Sequence, residues 1–155
     1  MKKILIIVIC IISNISFSQS YNSEKTSFIN FVKRYYETSS FEGVKVVEDY
    51  ENKYLVSILS LDKNMYQNPS IMFRVAKVKA QSQVSTFLNG STITEDFIIK
   101  TTETENGNSK STTVETINQI KENSIGFVNG IELLTNFENS SGRMIFIYCK
   151  EIKLE

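Results

Sequence analysis

Asn68-Pro69 and Asn89-Gly90 punctuate one long helix, and that helix constrains what the rest of the chain can be. Asparagine is a strong helix N-cap, and proline suits the first helical position because its missing N–H would be unpaired there anyway. The helix is expected to run to Leu88 and stop at Asn89-Gly90, with Gly90 suited to a left-handed C-terminal position. Within it Phe73, Ala76, Ala80, Val84 and Phe87 recur at a period of about 3.6, one inward stripe. Two alanines in mid-stripe predict close approach to a flat partner, a β-sheet. Arg74, Lys77 and Gln81 fall on another face and read as solvated.

The strands to form that sheet are visible on both sides. Gly43 opens an extended region in which Val44 and Val46 alternate with Lys45, and after Glu51-Asn52-Lys53 the pattern resumes from Tyr54 to Leu61, a hairpin. Tyr54, Val56 and Ile58 share one face and Leu55, Leu59 and Leu61 the other, so this strand is expected to be central or covered on both sides. After Gly90 the Thr- and Ile-rich stretch Thr92–Thr104 reads as a strand with Ile93, Phe97 and Ile99 on one side, turning at Asn106-Gly107. The return from Lys110 to about Lys121 is read as strand because Thr112, Thr113 and Thr116 are poor helix formers. Val114, Ile117 and Ile120 recur every three residues, which also fits a helix. A last hairpin joins Ile131–Phe137, with Ile131, Leu133 and Phe137 on one face, to Arg143–Ile152. There Met144, Phe146 and Tyr148 alternate with Ile145, Ile147 and Cys149. Before all of these, Ser23 can cap a helix to about Thr38, with Phe28, Phe31, Val32 and Tyr35 at i, i+3, i+4 and i+7. The expected class is α+β: an antiparallel sheet of about four to six strands, a long helix packed on one face, and an additional N-terminal helix.

The first eighteen residues have a different character. Lys2-Lys3 precede an unbroken apolar run, Ile4–Ile12, and a polar stretch with small residues at Ser16 and Ser18. That order is the pattern of a secretory signal peptide, with cleavage expected between Ser18 and Gln19. Nine apolar residues are too few for a retained anchor, because a helix needs roughly 20 to cross a bilayer core. Cys10 lies inside the apolar run behind Ile7-Val8-Ile9, a poor context for lipidation. The expectation is a cleaved leader, 1–18, and one α+β domain, 19–155, that is exported: periplasmic, outer-membrane-associated or secreted.

Composition then excludes several chemistries. Hydrophobic residues make up 41% and charged residues 22%, ordinary for a chain that buries a core. The formal charge is zero, and loss of Lys2 and Lys3 leaves 15 basic against 17 acidic residues, so no electrostatic case exists for nucleic acid. Cys149 is the only cysteine beyond the leader, which leaves no internal disulfide. It reads as a small buried hydrophobe. The absence of histidine removes the usual general base and the commonest zinc ligand. Glu48-Asp49 and Glu95-Asp96 are adjacent acids, but successive strand residues point to opposite faces and cannot share a site. Glu103 and Glu105 share a face beside the Asn106-Gly107 turn and read as solvated. Glu105-Asn106-Gly107-Asn108-Ser109 lacks the spacing of a calcium loop. The sequons at Asn89 and Asn139 both double as turns. No catalytic, cofactor-binding or metal-binding residue is therefore assigned, and no cofactor is expected.

The helix segment Val75-Ala76-Lys77-Val78-Lys79-Ala80, its end before Ser91-Thr92-Ile93-Thr94, and the later Gly126-Phe127-Val128-Asn129-Gly130-Ile131 give residues 75–152 a resemblance. This stretch resembles small bacterial envelope lipoproteins, a family that includes flagellar outer-membrane proteins of the FlgO and FlgP type. The resemblance implies a structural or assembly component of the envelope and carries over no catalytic residue. The chain lacks that family's lipidated N-terminal cysteine, so outer-membrane anchoring does not transfer. The sequence reading is an exported, non-enzymatic envelope protein acting as a structural or protein-interaction module. Its partners would be other envelope proteins, or a second copy met through sheet edges. The alternative is a binder of a small apolar or peptide ligand in a cystatin-like cup, for which a cavity lined by Phe73, Val84 and Phe97 is the expected signature.

Overall fold

A computed structural model describes residues 23–50, 52–66, 68–90, 97–101 and 124–153. The leader with its Ser18/Gln19 junction, the Asn106-Gly107 turn, the 110–121 segment and the acids Glu95, Asp96, Glu103 and Glu105 lie outside these residues. In chain order the elements are α1 (Ser23–Ser39), β1 (Gly43–Asp49), β2 (Asn52–Leu61), a short 3-10 turn (Lys63–Met65), α2 (Pro69–Gly90), β3 (Ile98–Lys100), α3 (Ser124–Asn129), β4 (Glu132–Glu138) and β5 (Met144–Glu151). The class is α+β as expected, with a five-stranded sheet of order β3-β1-β2-β5-β4.

β2 is the middle strand, which explains why both of its faces are apolar. It pairs antiparallel with β1 (Gly43↔Ile58 to Asp49↔Asn52) and with β5 (Tyr54↔Glu151 to Leu61↔Met144). Every residue from Leu55 to Leu61 is buried. Leu55, Leu59 and Leu61 join Val44, Val46, Phe146 and Tyr148 beneath α2, whereas Val56 and Ile58 join Val47, Ile145 and Ile147 beneath α1. The two helices thus cover opposite faces, and β2 is both central and covered on both sides. Each fully buried leucine or isoleucine here contributes about 1.5–3 kcal/mol.

The ends of α2 follow from local chemistry. Asn68 Oδ1 accepts the Ile71 N–H at 2.9 Å, as an N-cap should, and Pro69 is the first helical residue. Met72, Ala76, Ala80, Val84, Phe87 and Leu88 are buried, with both alanines at 0% exposure. Methyl groups at the contact let the helix axis lie close to β1 and β2. Gly90 is the last helical residue and has no left-handed φ, so the expected glycine cap is not the device that ends α2. α1 ends differently: Ser40 takes φ 50° and its N–H returns to the Tyr36 carbonyl at 2.7 Å, a left-handed cap. The Thr38 and Ser39 hydroxyls donate to the carbonyls of Arg34 and Tyr35, so three last-turn acceptors are satisfied. The next residues lead to Gly43 at φ 134°, where an added Cβ would sit 3.0 Å from the Phe41 ring. Only glycine fits both that angle and that contact.

Two features depart from a regular antiparallel sheet. α2 carries the chain back over the sheet so that β3 lies beyond β1 and runs parallel to it (Val46↔Ile98 to Glu48↔Lys100), making the sheet mixed. Phe97 and Ile98 pack on the α2 side, while Ile99 meets Phe31 and Tyr35 of α1 across the sheet. Phe97 and Ile99, expected on one side, therefore face opposite sides, because Phe97 stands before the strand and does not keep its alternation; Ile93 lies outside the described residues. In the last hairpin Leu133 pairs with Tyr148 but Thr135 pairs with Ile147, so Leu134 is an extra residue. This bulge reverses the facing of everything after it. Ile131 lies beneath α2, whereas Phe137 lies beneath α1 against Tyr36, ring centroids 5.8 Å apart. The alternation of β5 is as expected. α3 was not anticipated; Lys150 of β5 holds its C-terminal end, its Nζ donating to the Gly126 and Phe127 carbonyls at 3.3 Å and lying 4.4 Å from the Phe127 ring centroid.

Candidate functional site

The densest polar cluster joins three elements at one end of the sheet. β1 begins its ladder at Gly43↔Ile58, so Ser60, two residues further along β2, has no β1 residue opposite it. The Glu42 side chain takes that place: Oε2 accepts the Ser60 N–H at 3.1 Å and Oε1 accepts the Ser60 hydroxyl at 2.5 Å. Arg143, entering β5, donates from Nε to Ser60 Oγ at 2.9 Å and from Nη2 to the Ser60 carbonyl at 3.3 Å. Ser60 is only 7% exposed, with Glu42 and Arg143 outside it. A serine beside a carboxylate invites a nucleophile reading, but here the oxygen that would attack is buried and already accepts the guanidinium N–H. The cluster is a clasp between the α1–β1 connection, β2 and the β4–β5 turn. None of the three stands out in the sequence: Ser60, like Ser57, is a serine inside the otherwise apolar run from Leu55 to Leu61.

The same end carries the β4–β5 turn. Asn139 Oδ1 accepts the N–H groups of Ser141 and Arg143, both at 3.0 Å, and its Nδ2 reaches the Tyr36 hydroxyl at 3.3 Å. The asparagine of this sequon is thus half-buried and committed to the turn. Asn89, the other sequon residue, is exposed and donates to the Ser85 carbonyl at 2.9 Å. Lys63 and Glu138 form an ion pair beside the turn, both about half exposed, which places it among surface pairs of small net worth.

The remaining candidates are dispersed. Glu48 is buried and Asp49 is half-buried on the next position of β1, where Oδ1 accepts the Thr101 hydroxyl at 2.7 Å. Strand alternation separates the two carboxyl groups as expected. Arg74 and Lys77 are exposed and Gln81 is half-buried. Ser57, fully buried beneath α2, donates to Gln83 Oε1 at 2.7 Å and so is satisfied within the core. Cys149 is a free, half-buried thiol, pushed up to about 11 by burial. Lys25 opposes that shift and Glu132 adds to it. At neutral pH it is a thiol and a poor nucleophile. Among the described residues no three Cys, Asp or Glu side chains converge as a metal site.

Between α2 and the sheet, where the ligand-cup alternative looks for a cavity, the three residues it names pack against other side chains. Phe73 meets Phe146 edge-on at 5.1 Å, Phe97 meets Phe87 edge-on at 5.2 Å, and Val84 is fully buried. Beneath α1 a narrow apolar crevice between Phe31, Tyr35, Lys45 and Ile99 has no room for a water molecule. At the outer edge β4 pairs only with β5 among the described residues. That strand carries Glu132 and Glu138 at its ends, the bulge at Leu134, and Leu133 at 39% exposure.

Among the described residues no helix is long and apolar enough to cross a membrane. Comparison with protein-family models, with curated proteins and with solved structures found no match.

Proposed function

We propose that this chain is an exported, non-enzymatic component of the bacterial envelope that works as a structural or protein-interaction module. The observation that carries the reading is the packing on both faces of the sheet. Among the described residues, apolar side chains pack into one cluster beneath α1 and another beneath α2, which supports a partner meeting outer surface or strand edge. The basic-apolar-small order of residues 1–18 supports export, and the resemblance of residues 75–152 to FlgO- and FlgP-type envelope proteins supports an assembly role. The edge of β4 is the favoured meeting place, because among the described residues no strand pairs along its outer side and Leu133 is exposed there. Its bulge and terminal glutamates restrict which strand can pair there, which favours a dedicated partner over indiscriminate self-pairing.

The test is co-purification from gently cross-linked whole cells, with a tag at the C-terminus and the mature mass read by mass spectrometry. A stoichiometric envelope partner, with a mass corresponding to a start at Gln19, is the expected result. A lone monomer in the cross-linked envelope fraction would refute the assembly role, and an intact leader on the bulk of the protein would refute export by cleavage.

A further inference from the structure

We draw no further inference here: the strongest candidate, the exposed apolar side chains of Ile125 on α3 and Leu133 on β4, is a surface feature for which nothing in the structure shows what covers it.

Discussion

Removing the Glu42 carboxylate tests whether the clasp at the end of the sheet holds the fold. In Glu42→Ala the Ser60 N–H loses its acceptor, and no β1 residue stands opposite to replace it, since the β1–β2 ladder starts at Gly43↔Ile58. The Ser60 hydroxyl loses a second, charge-assisted bond at the same time. A hydrogen bond to a charged group is worth about 1.5–3 kcal/mol, and a buried donor left unpaired costs about 1–3 kcal/mol. Glu42 itself is exposed, so water reaches part of the vacated space and the two losses are not additive. The expected destabilisation is about 1–2 kcal/mol, or a fall in Tm of roughly 4–8 °C for a domain of this size. The assay is urea denaturation at neutral pH followed by far-UV circular dichroism, with the slope of the transition checked for constancy. Ser60→Ala and the double variant complete a cycle that isolates the shared bond, with an expected coupling of at least about 0.5 kcal/mol. A Glu42→Ala variant within about 0.5 kcal/mol of the parent would behave as an ordinary surface substitution. The claim that Glu42 stands in for a missing strand partner would then be wrong.

Ala80→Leu places a larger side chain where α2 touches the sheet at 0% exposure, and should destabilise by about 1–3 kcal/mol through overpacking; an unchanged denaturation midpoint would contradict the close approach. Tyr50 holds φ 55° at the β1–β2 turn while 82% exposed, so Tyr50→Gly should stabilise by about 0.5–1 kcal/mol by removing the left-handed penalty, and a lower Tm would refute that. Cys149, raised to about 11 from an ordinary value of 9.0, should alkylate slowly with iodoacetamide at pH 8 in the folded protein and rapidly in denaturant; equal rates would overturn its burial. Between pH 9 and 11 the folded thiol retains a proton that the unfolded chain has released. Its contribution to stability is therefore complete below the unfolded value and is lost as pH rises through about 11. Cys149→Ser should remove that alkaline component, measured as the difference in denaturation free energy between pH 8 and pH 10.5.

The fold was legible where a residue's role depends on its near neighbours in sequence. The Asn68-Pro69 start and the alanine stripe of α2 are set by capping and by a period of 3.6, and both appear as read. The central position of β2 follows from apolar side chains on both of its faces. Position along the sheet is another matter. That α2 returns the chain to the far side of β1, and so makes β3 parallel, depends on the whole packing and leaves no mark in the Phe97–Ile99 segment. The Leu134 bulge is equally silent: Leu133, Leu134, Thr135 and Asn136 fit either phase of a strand. Only the separate demands of Ile131 beneath α2 and Phe137 beneath α1 require an extra residue between them. The clasp has the same character, because Glu42, Ser60 and Arg143 converge from positions far apart in the chain and share no spacing rule.

The proposed function leaves less mark in the residues of this chain than the fold does. Catalytic and metal sites leave signatures in residue type, since they need bases, nucleophiles or ligands of particular chemistry. A protein-interaction surface needs only shape, exposed apolar area and an unpaired strand edge. Glu132, Leu133 and Glu138 are common residues in an ordinary strand until the sheet order places that strand at the rim. The prediction that follows is specific to the edge. Thr135→Pro removes a backbone N–H from β4. If that N–H faces β5, it breaks a ladder bond and costs stability; if it faces outward, it should abolish partner capture with little loss of Tm. Asn136→Pro tests the neighbouring position, whose N–H points the other way in a regular strand. One of the pair should therefore keep the parent's thermal midpoint within a few degrees while losing the cross-linked partner. If whichever variant stays folded still captures the partner, the β4 edge is not where this protein is bound.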